Sequence, residues 1–281
     1  MATSDYTAES RERWQRMAPG WERQNDRQWA TSEVVSRDLV ERLAAEPGDV
    51  VLELAGGIGQ TSLLLASRGA RVISTDFAPA MVEAARRLAE RSGAEGIEHR
   101  LIDAENIDLP DASVDGVVCR WGLMLFGDPQ RALAEIRRVL RPGGRFACSV
   151  WATPDANPWA SVAGRALVEG GVMPPPEPGE PGMFIFGAPG QLAQLLERAS
   201  FSPVDAGEIA IEFRYADFDD YWSILLDLGG AVARALGEVP PDEAERVTRE
   251  IERRVEPFRT ANGLVFPGRC VNAVGTRVGS G

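Results

Sequence analysis

The residues best placed to do chemistry lie in one glycine-rich run, Val51-Leu52-Glu53-Leu54-Ala55-Gly56-Gly57-Ile58-Gly59. An apolar stretch precedes it and a helix-forming stretch follows. Small residues at such a turn let a ligand lie against bare backbone, with the helix N-terminus facing it. Dinucleotide enzymes use a similar loop, so the run alone leaves the ligand open. Two details narrow it. Glu53 sits inside the end of the strand, before the glycines, and the spacing Gly57-x-Gly59-x-x-Ser62 puts serine where a dinucleotide site prefers glycine or alanine. Asp76, 17 residues after Gly59, closes the next apolar stretch. A carboxylate there can accept from both hydroxyls of a ribose, or can simply cap the following helix. Asp103-Ala104-Glu105 follows a third stretch and can reach an adenine amino group, or again act as a cap.

These residues need a frame. Residues 34–45 read as an amphipathic helix stopped by Pro47-Gly48, and 50–54 as a buried strand. Helices are expected over 60–67, from Pro79 to about Arg91, and from Asp128-Pro129 to Leu140. Further strands are expected over 71–75, 97–102, 114–119 and 145–150, the last after a tight turn at Pro142-Gly143-Gly144. Strand–helix alternation with short connections implies an α/β, mostly parallel, doubly wound sheet. Residues 152–187 are rich in proline and read as a loop or cap insertion. Residues 188–281 complete the sheet, with a helix at 191–199, a strand at 203–215, two or three cap helices over 217–258 and a last strand at 264–277. Residues 1–33 form a helical segment on which Trp14, Met17 and Trp21 share one face, either packed on the domain or closing as a lid over a ligand.

Composition excludes several classes. The formal net charge of −12 disfavours a nucleic-acid partner, and the arginine clusters are interleaved with acids as on a solvated helix face. The single histidine, His99, rules out a histidine-rich metal site, and it falls mid-strand, where a structural role is expected. Cys119, Cys148 and Cys270 sit in apolar runs and read as buried, reduced thiols, which fits a cytoplasmic protein. No apolar run approaches the ~20 residues of a membrane span, and no signal peptide is visible. A homodimer stays open.

Together these motifs resemble class I S-adenosylmethionine (SAM)-dependent methyltransferases of Rossmann-like fold. Glu53 to Gly59 is similar to the family's E/D-x-G-x-G-x-G loop, with Ala55 replacing the first glycine, and Asp76 matches the ribose-binding acid. Asp103-Ala104-Glu105, Arg120-Trp121-Gly122-Leu123-Met124 and Arg141-Pro142-Gly143-Gly144 look like the ubiquinone/menaquinone C-methyltransferase-like subgroup. The resemblance covers about 50–151. It implies SAM as cofactor, with Glu53, Ala55, Gly56, Gly57 and Gly59 near its methionine part. Asp76, Phe77, Met81, Asp103, Ala104 and Glu105 would lie around its adenosine, and Cys119 and Arg120 at the end of the fourth strand. It implies no metal, and a small methyl acceptor, aromatic, quinone-like or polyketide-like, methylated on carbon or oxygen.

Arg120 carries the most information about that acceptor. A guanidinium beside a sulfonium is unfavourable, so it needs an anionic partner, either an acid of the protein or a group on the acceptor. The aromatics concentrate in the second half, and Trp21, Arg120, Trp121, Trp151 and Trp222 are candidate acceptor contacts, although a cap core would use the same residue types. No catalytic residue can be named. A nucleotide-dependent oxidoreductase would need a set such as tyrosine with lysine, and all thirty basic residues here are arginine. A SAM-binding protein without methyl transfer, or a related fold doing other SAM chemistry, remains a competing reading.

Overall fold

The computed structural model describes residues 3–177 and 179–279, with side chains from residue 6 onward. The outermost residues of the expected N-terminal and C-terminal segments, and Pro178 of the expected cap, lie outside the described residues. Eight strands form one sheet: β1 (Val50–Glu53), β2 (Arg71–Asp76), β3 (Ile97–Leu101), β4 (Val114–Arg120), β5 (Leu140–Trp151), β6 (Phe201–Tyr215), the two-residue β7 (Arg259–Thr260) and β8 (Gly263–Arg277). Their order is β3-β2-β1-β4-β5-β8-β6, with β7 paired on β8. The first five run parallel, whereas β8 is antiparallel to β5 and to β6. The α/β, mostly parallel and doubly wound sheet read from the sequence is therefore what forms. The chain leaves β1 toward β2 and β3, then returns to build β4 on the other side. That reversal opens a crevice at the carboxyl ends of β1 and β4, the usual ligand position in open α/β sheets.

Ten helices cover the sheet or its ends among the described residues: α1 (Thr3–Arg23), α2 (Asn25–Leu43), α3 (Gln60–Ser67), α4 (Pro79–Arg91), α5 (Pro129–Val139), α6 (Pro158–Glu169), α7 (Gln191–Arg198), α8 (Phe218–Leu228), α9 (Gly230–Glu238) and α10 (Pro241–Val255). The parallel strands read as unbroken apolar runs because both faces are buried. Val51, Val72, Val118 and Ala147 pack under Leu39, Val40 and Leu43 of α2. Leu52, Val117, Cys119 and Phe146 turn the other way, toward Leu133 and Ile136 of α5. Burying one such leucine contributes about 1.5–3 kcal/mol.

Three local differences from the sequence reading have physical causes. Helix α2 starts at Asn25, nine residues before the expected 34, because its first turns bury polar Asn25 and Ser32 instead of an apolar stripe. Pro142-Gly143-Gly144 is no separate turn but an irregularity inside β5. Leu140 already pairs with Val114, and pairing resumes with Arg145 on Gly116. The expected loop at 152–187 contains the twelve-residue α6, which starts on Pro158, a residue suited to a first helical turn.

Candidate functional site

The glycine-rich loop is fixed by backbone bonds at the crevice. Gly56 N donates to Thr75 O at 2.8 Å, Leu54 N to Val118 O at 2.9 Å, and Gly59 N to Gly56 O at 3.0 Å. Gly57 has φ +58°, and a Cβ there would meet nothing within 4 Å, so its backbone faces open space. Ala55 also lies in the left-handed region, at φ 51°, with its Cβ facing Gly122. A Cβ on Gly122 would fall 2.5 Å from that of Ala55 and 2.8 Å from Cys119 Sγ. Ala55 thus occupies a position where glycine would be unstrained, and Gly122 leaves room for it.

Two buried carboxylates flank this loop. Glu53 accepts from the Ser62 hydroxyl and lies below Thr61, whose hydroxyl is 3.2 Å from Ser36 Oγ. Burial pushes its pKa to about 7, against the opposing pull of the Ser62 hydrogen bond and the Arg120 charge. Asp76 accepts from Gly57 N at 3.0 Å and from Ala78 N at 2.9 Å, and burial raises it to about 6. Two nearly dry carboxylates with only neutral donors in contact make a site short of positive charge and of hydroxyl protons.

The remaining expected cofactor residues are distributed as follows. Phe77 lies under the guanidinium of Arg11, 5.8 Å from its ring centroid. Met81 is buried with Ile58 and Ala78 beneath Ala18, Trp14 and Trp21 of α1. Asp103 Oδ1 accepts from Glu105 N at 3.0 Å, and its other oxygen is 4.0 Å from Arg11. Ala104 is buried in the core, and Glu105 accepts from Asp128 N at 3.0 Å, tying the start of α5 to this turn. Cys119 is fully buried and its thiol is pushed up to about 12. His99 pairs with Ser74 within the sheet, and burial lowers its pKa. All three cysteines are free and buried. The described residues contain no His/Cys/Asp/Glu group able to hold a metal ion.

Arg120 ends β4 without an ion pair within 4.0 Å among the described residues. Its guanidinium lies 4.6 Å from the Trp121 ring centroid, and burial lowers its pKa, offset by the charge of Glu53. Trp121 stacks on Trp151 at 4.1 Å and 22°, Trp151 meets the edge of Trp159 at 5.0 Å, and Trp159 stacks on Phe213 at 4.2 Å. This column runs from the crevice to the antiparallel β6–β8 pair. Trp21 and Trp222 are elsewhere: Trp21 lies against Trp14 on α1, and Trp222 stacks on Phe218. Sequence reasoning missed Ser36, Thr61, Gly122, Ser149, Cys270 and Asn272. Only strand pairing, which sets Arg120 beside Ser149 and Ser149 beside Asn272, could have exposed the last group.

The methyltransferase domain family matches residues 52–148, the segment that holds both carboxylates and the glycine-rich loop. Over 140 residues the chain is 40% identical to the ubiquinone/menaquinone biosynthesis C-methyltransferase UbiE of Acidiphilium cryptum, covering 47% of this chain and 56% of that protein. The chain thus spans about half the length of the curated relatives it matches. Among solved structures, the YcgJ protein of Bacillus subtilis superposes with a TM-score of 0.60 at 17% identity, over 87% of this chain and 98% of that one. Phosphoethanolamine N-methyltransferase 2 of Haemonchus contortus, in complex with S-adenosyl-L-methionine, does so with 0.55 at 14% identity, over 87% and 52%. Residues 52–148 therefore match the methyltransferase domain family, and the chain has the Rossmann-like fold of these structures.

Proposed function

We propose that the chain is a SAM-dependent methyltransferase acting on carbon or oxygen of a small aromatic acceptor of quinone or polyketide type. The observation that carries this reading is the pair of buried carboxylates, Glu53 and Asp76, on either side of an open glycine backbone. Glu53, whose pKa burial raises to about 7, suits the ammonium of a methionine moiety, which would favour its charged form. Asp76 has lone pairs beyond its two backbone bonds and suits ribose hydroxyls. The bound cofactor would supply an electrophilic methyl group on a sulfonium.

What the protein adds is positioning and dryness, which can supply several kcal/mol of barrier lowering. Helix α1 contributes to the second. It reaches from α4, where Gln15 accepts from Ala80 N at 2.9 Å and Glu22 pairs with Arg87 at 2.7 Å, to α8, where Arg23 and Gln24 bind Asp227. In this reading α1 is a lid, and the column headed by Trp121 is the acceptor wall. The identity of the relative from Acidiphilium favours a quinone precursor as acceptor. A cytoplasmic enzyme fits the lack, among the described residues, of any helix long and apolar enough to cross a membrane.

Calorimetric titration with SAM, S-adenosylhomocysteine and NAD(H) tests the cofactor. Binding of both sulfur ligands without NAD(H) is expected, and binding of NAD(H) alone would overturn the proposal.

A further inference from the structure

Four polar groups at the carboxyl end of β4 and β5 are left unfinished by the fold. Ser149 is fully buried and, among the described residues, neither its Oγ nor the buried Trp121 Nε1 has a hydrogen-bond partner. Arg120 has no ion pair among the described residues, and Asn272 Oδ1 is a buried acceptor without a donor. Three of the four are donors, and they are neighbours. Arg120 pairs with Ser149 in register, so both side chains leave the same face of the sheet, and Trp121 N donates to Ser149 O at 2.9 Å. Ser149, Trp121 and Arg120 all act on one thiol, that of Cys270, yet neither the hydroxyl nor the indole N–H makes a well-formed bond to it.

The backbone here is also held out of its relaxed form. Trp121 has φ 61°, a left-handed conformation that is unusual for a bulky residue and concentrates at functional sites. That conformation lays the indole flat on Trp151 and keeps the Arg120 guanidinium over its face. Arg120 is half-buried, feels the charge of Glu53 but has no carboxylate within 4.0 Å among the described residues, and a cation so placed is costly unless an anion arrives.

We infer that Arg120, Trp121 Nε1–H and Ser149 Oγ–H form a seat for an ionised oxygen of the methyl acceptor. The inference rests on the methyltransferase reading and adds the acceptor's charge to it. A hydroxyl on an aromatic ring is the group of choice, because three convergent donors stabilise its phenolate. A phenolate needs no general base at the moment of transfer. Ionisation also enriches electron density on both the oxygen and the adjacent ring carbons, the two acceptor atoms compatible with the reading above.

The test uses 4-nitrophenol, whose phenolate absorbs in the visible, titrated with pH on protein saturated with S-adenosylhomocysteine. Bound phenol is expected to ionise at a pH about 1–3 below that of free phenol, the effect of an adjacent opposite charge. Arg120→Met should bring it back to the free value and weaken phenolate binding about tenfold or more, with S-adenosylhomocysteine affinity nearly unchanged. Trp121→Phe keeps the stack and removes one donor, and Ser149→Ala removes another with little change in volume; each should give a partial return. A bound phenol that ionises like the free one, or no bound phenolate at all, overturns the inference and leaves the cofactor reading standing. Loss of S-adenosylhomocysteine affinity in Arg120→Met, with phenolate binding intact, overturns it in favour of a cofactor contact. Failure of the wild type to bind S-adenosylhomocysteine sinks the cofactor reading instead, and the phenol titration on the protein alone then decides the seat.

Discussion

The crevice at the ends of β1 and β4 and the packing of α6 and α8 on the antiparallel β6–β8 pair are built on opposite principles. At the crevice, Glu53, Asp76, Arg120, Trp121 and Ser149 are buried or half-buried with charges unbalanced or donors unpaired. Around Arg269, where β8 meets α6 and α8, the polar groups of Asn157 and Tyr221 are satisfied. Asn157 is fully buried, yet its amide nitrogen donates to Arg269 O at 2.9 Å and its oxygen accepts from Arg269 N at 2.9 Å and Trp159 Nε1 at 3.2 Å. Tyr221 OH donates to Trp159 O at 3.0 Å. The difference separates stability from binding. Satisfied packing holds the fold, while unsatisfied groups wait for a ligand at a cost in stability. Substitutions at Asn157 or Tyr221 should therefore change stability first, and those at the crevice should change ligand affinity first.

The largest effect is expected at the junction of the two. Trp151 is 4% exposed and lies between Trp121 and Trp159. Trp151→Ala should cost about 3–5 kcal/mol in urea denaturation. A loss below about 1 kcal/mol would mean that the column lines an open cavity and belongs to the crevice.

Next comes the pH dependence of the ligand-free protein. The pKa of Glu53 is raised from the ordinary 4.5 to about 7, so the folded state binds its proton more tightly than the unfolded one does. That contribution is complete below about pH 4.5 and is lost as pH rises toward 7. Relative to Glu53→Gln, wild-type stability should fall across this window by an amount on the order of 3 kcal/mol. Parallel curves would show that Glu53 is already ionised and paired. With the raised pKa, SAM binding near pH 6 should release a proton, measurable by calorimetry in buffers of different ionisation enthalpy.

Asp76→Ala should weaken S-adenosylhomocysteine binding by about 1.5–3 kcal/mol, the range for hydrogen bonds to a charged group. Unchanged affinity in a folded variant would reduce Asp76 to a support for Gly57 and Ala78.

The same contrast explains what could be read without coordinates. Gly57, Glu53 and Asp76 were legible because each is a local demand, a backbone conformation or an acid at a strand end, written within 30 residues of chain. Ser149 and Asn272 were not. They meet Arg120 only through the register of β4, β5 and β8, and Asn272 is held by Val35 O, 237 residues away. A lone serine or asparagine in an apolar strand carries no mark of which neighbour it will face. The start of α2 is hidden for a related reason, since its first turns bury polar Asn25 and Ser32, and Asn25 is satisfied by Gln60 from α3.

The smallest expected effect tests whether α1 belongs to the crevice or to the fixed body. Arg11 reaches Asp103 at 4.0 Å and lies over Phe77 at 5.8 Å, both contacts partly exposed. Such contacts are worth about 0.5–1 kcal/mol each and are weakened by salt. Arg11→Ala should leave global stability within about 1 kcal/mol, because Ala18, Trp14 and Trp21 still anchor α1 on Met81 and Ile58. If α1 is a lid, the small loss falls on the closed state and raises the dissociation rate of S-adenosylhomocysteine a few-fold, an effect that stopped-flow displacement can resolve. If dissociation is unchanged while stability drops, α1 is a structural brace. The crevice would then end at Phe77, and the boundary between the two building principles would lie one layer further in.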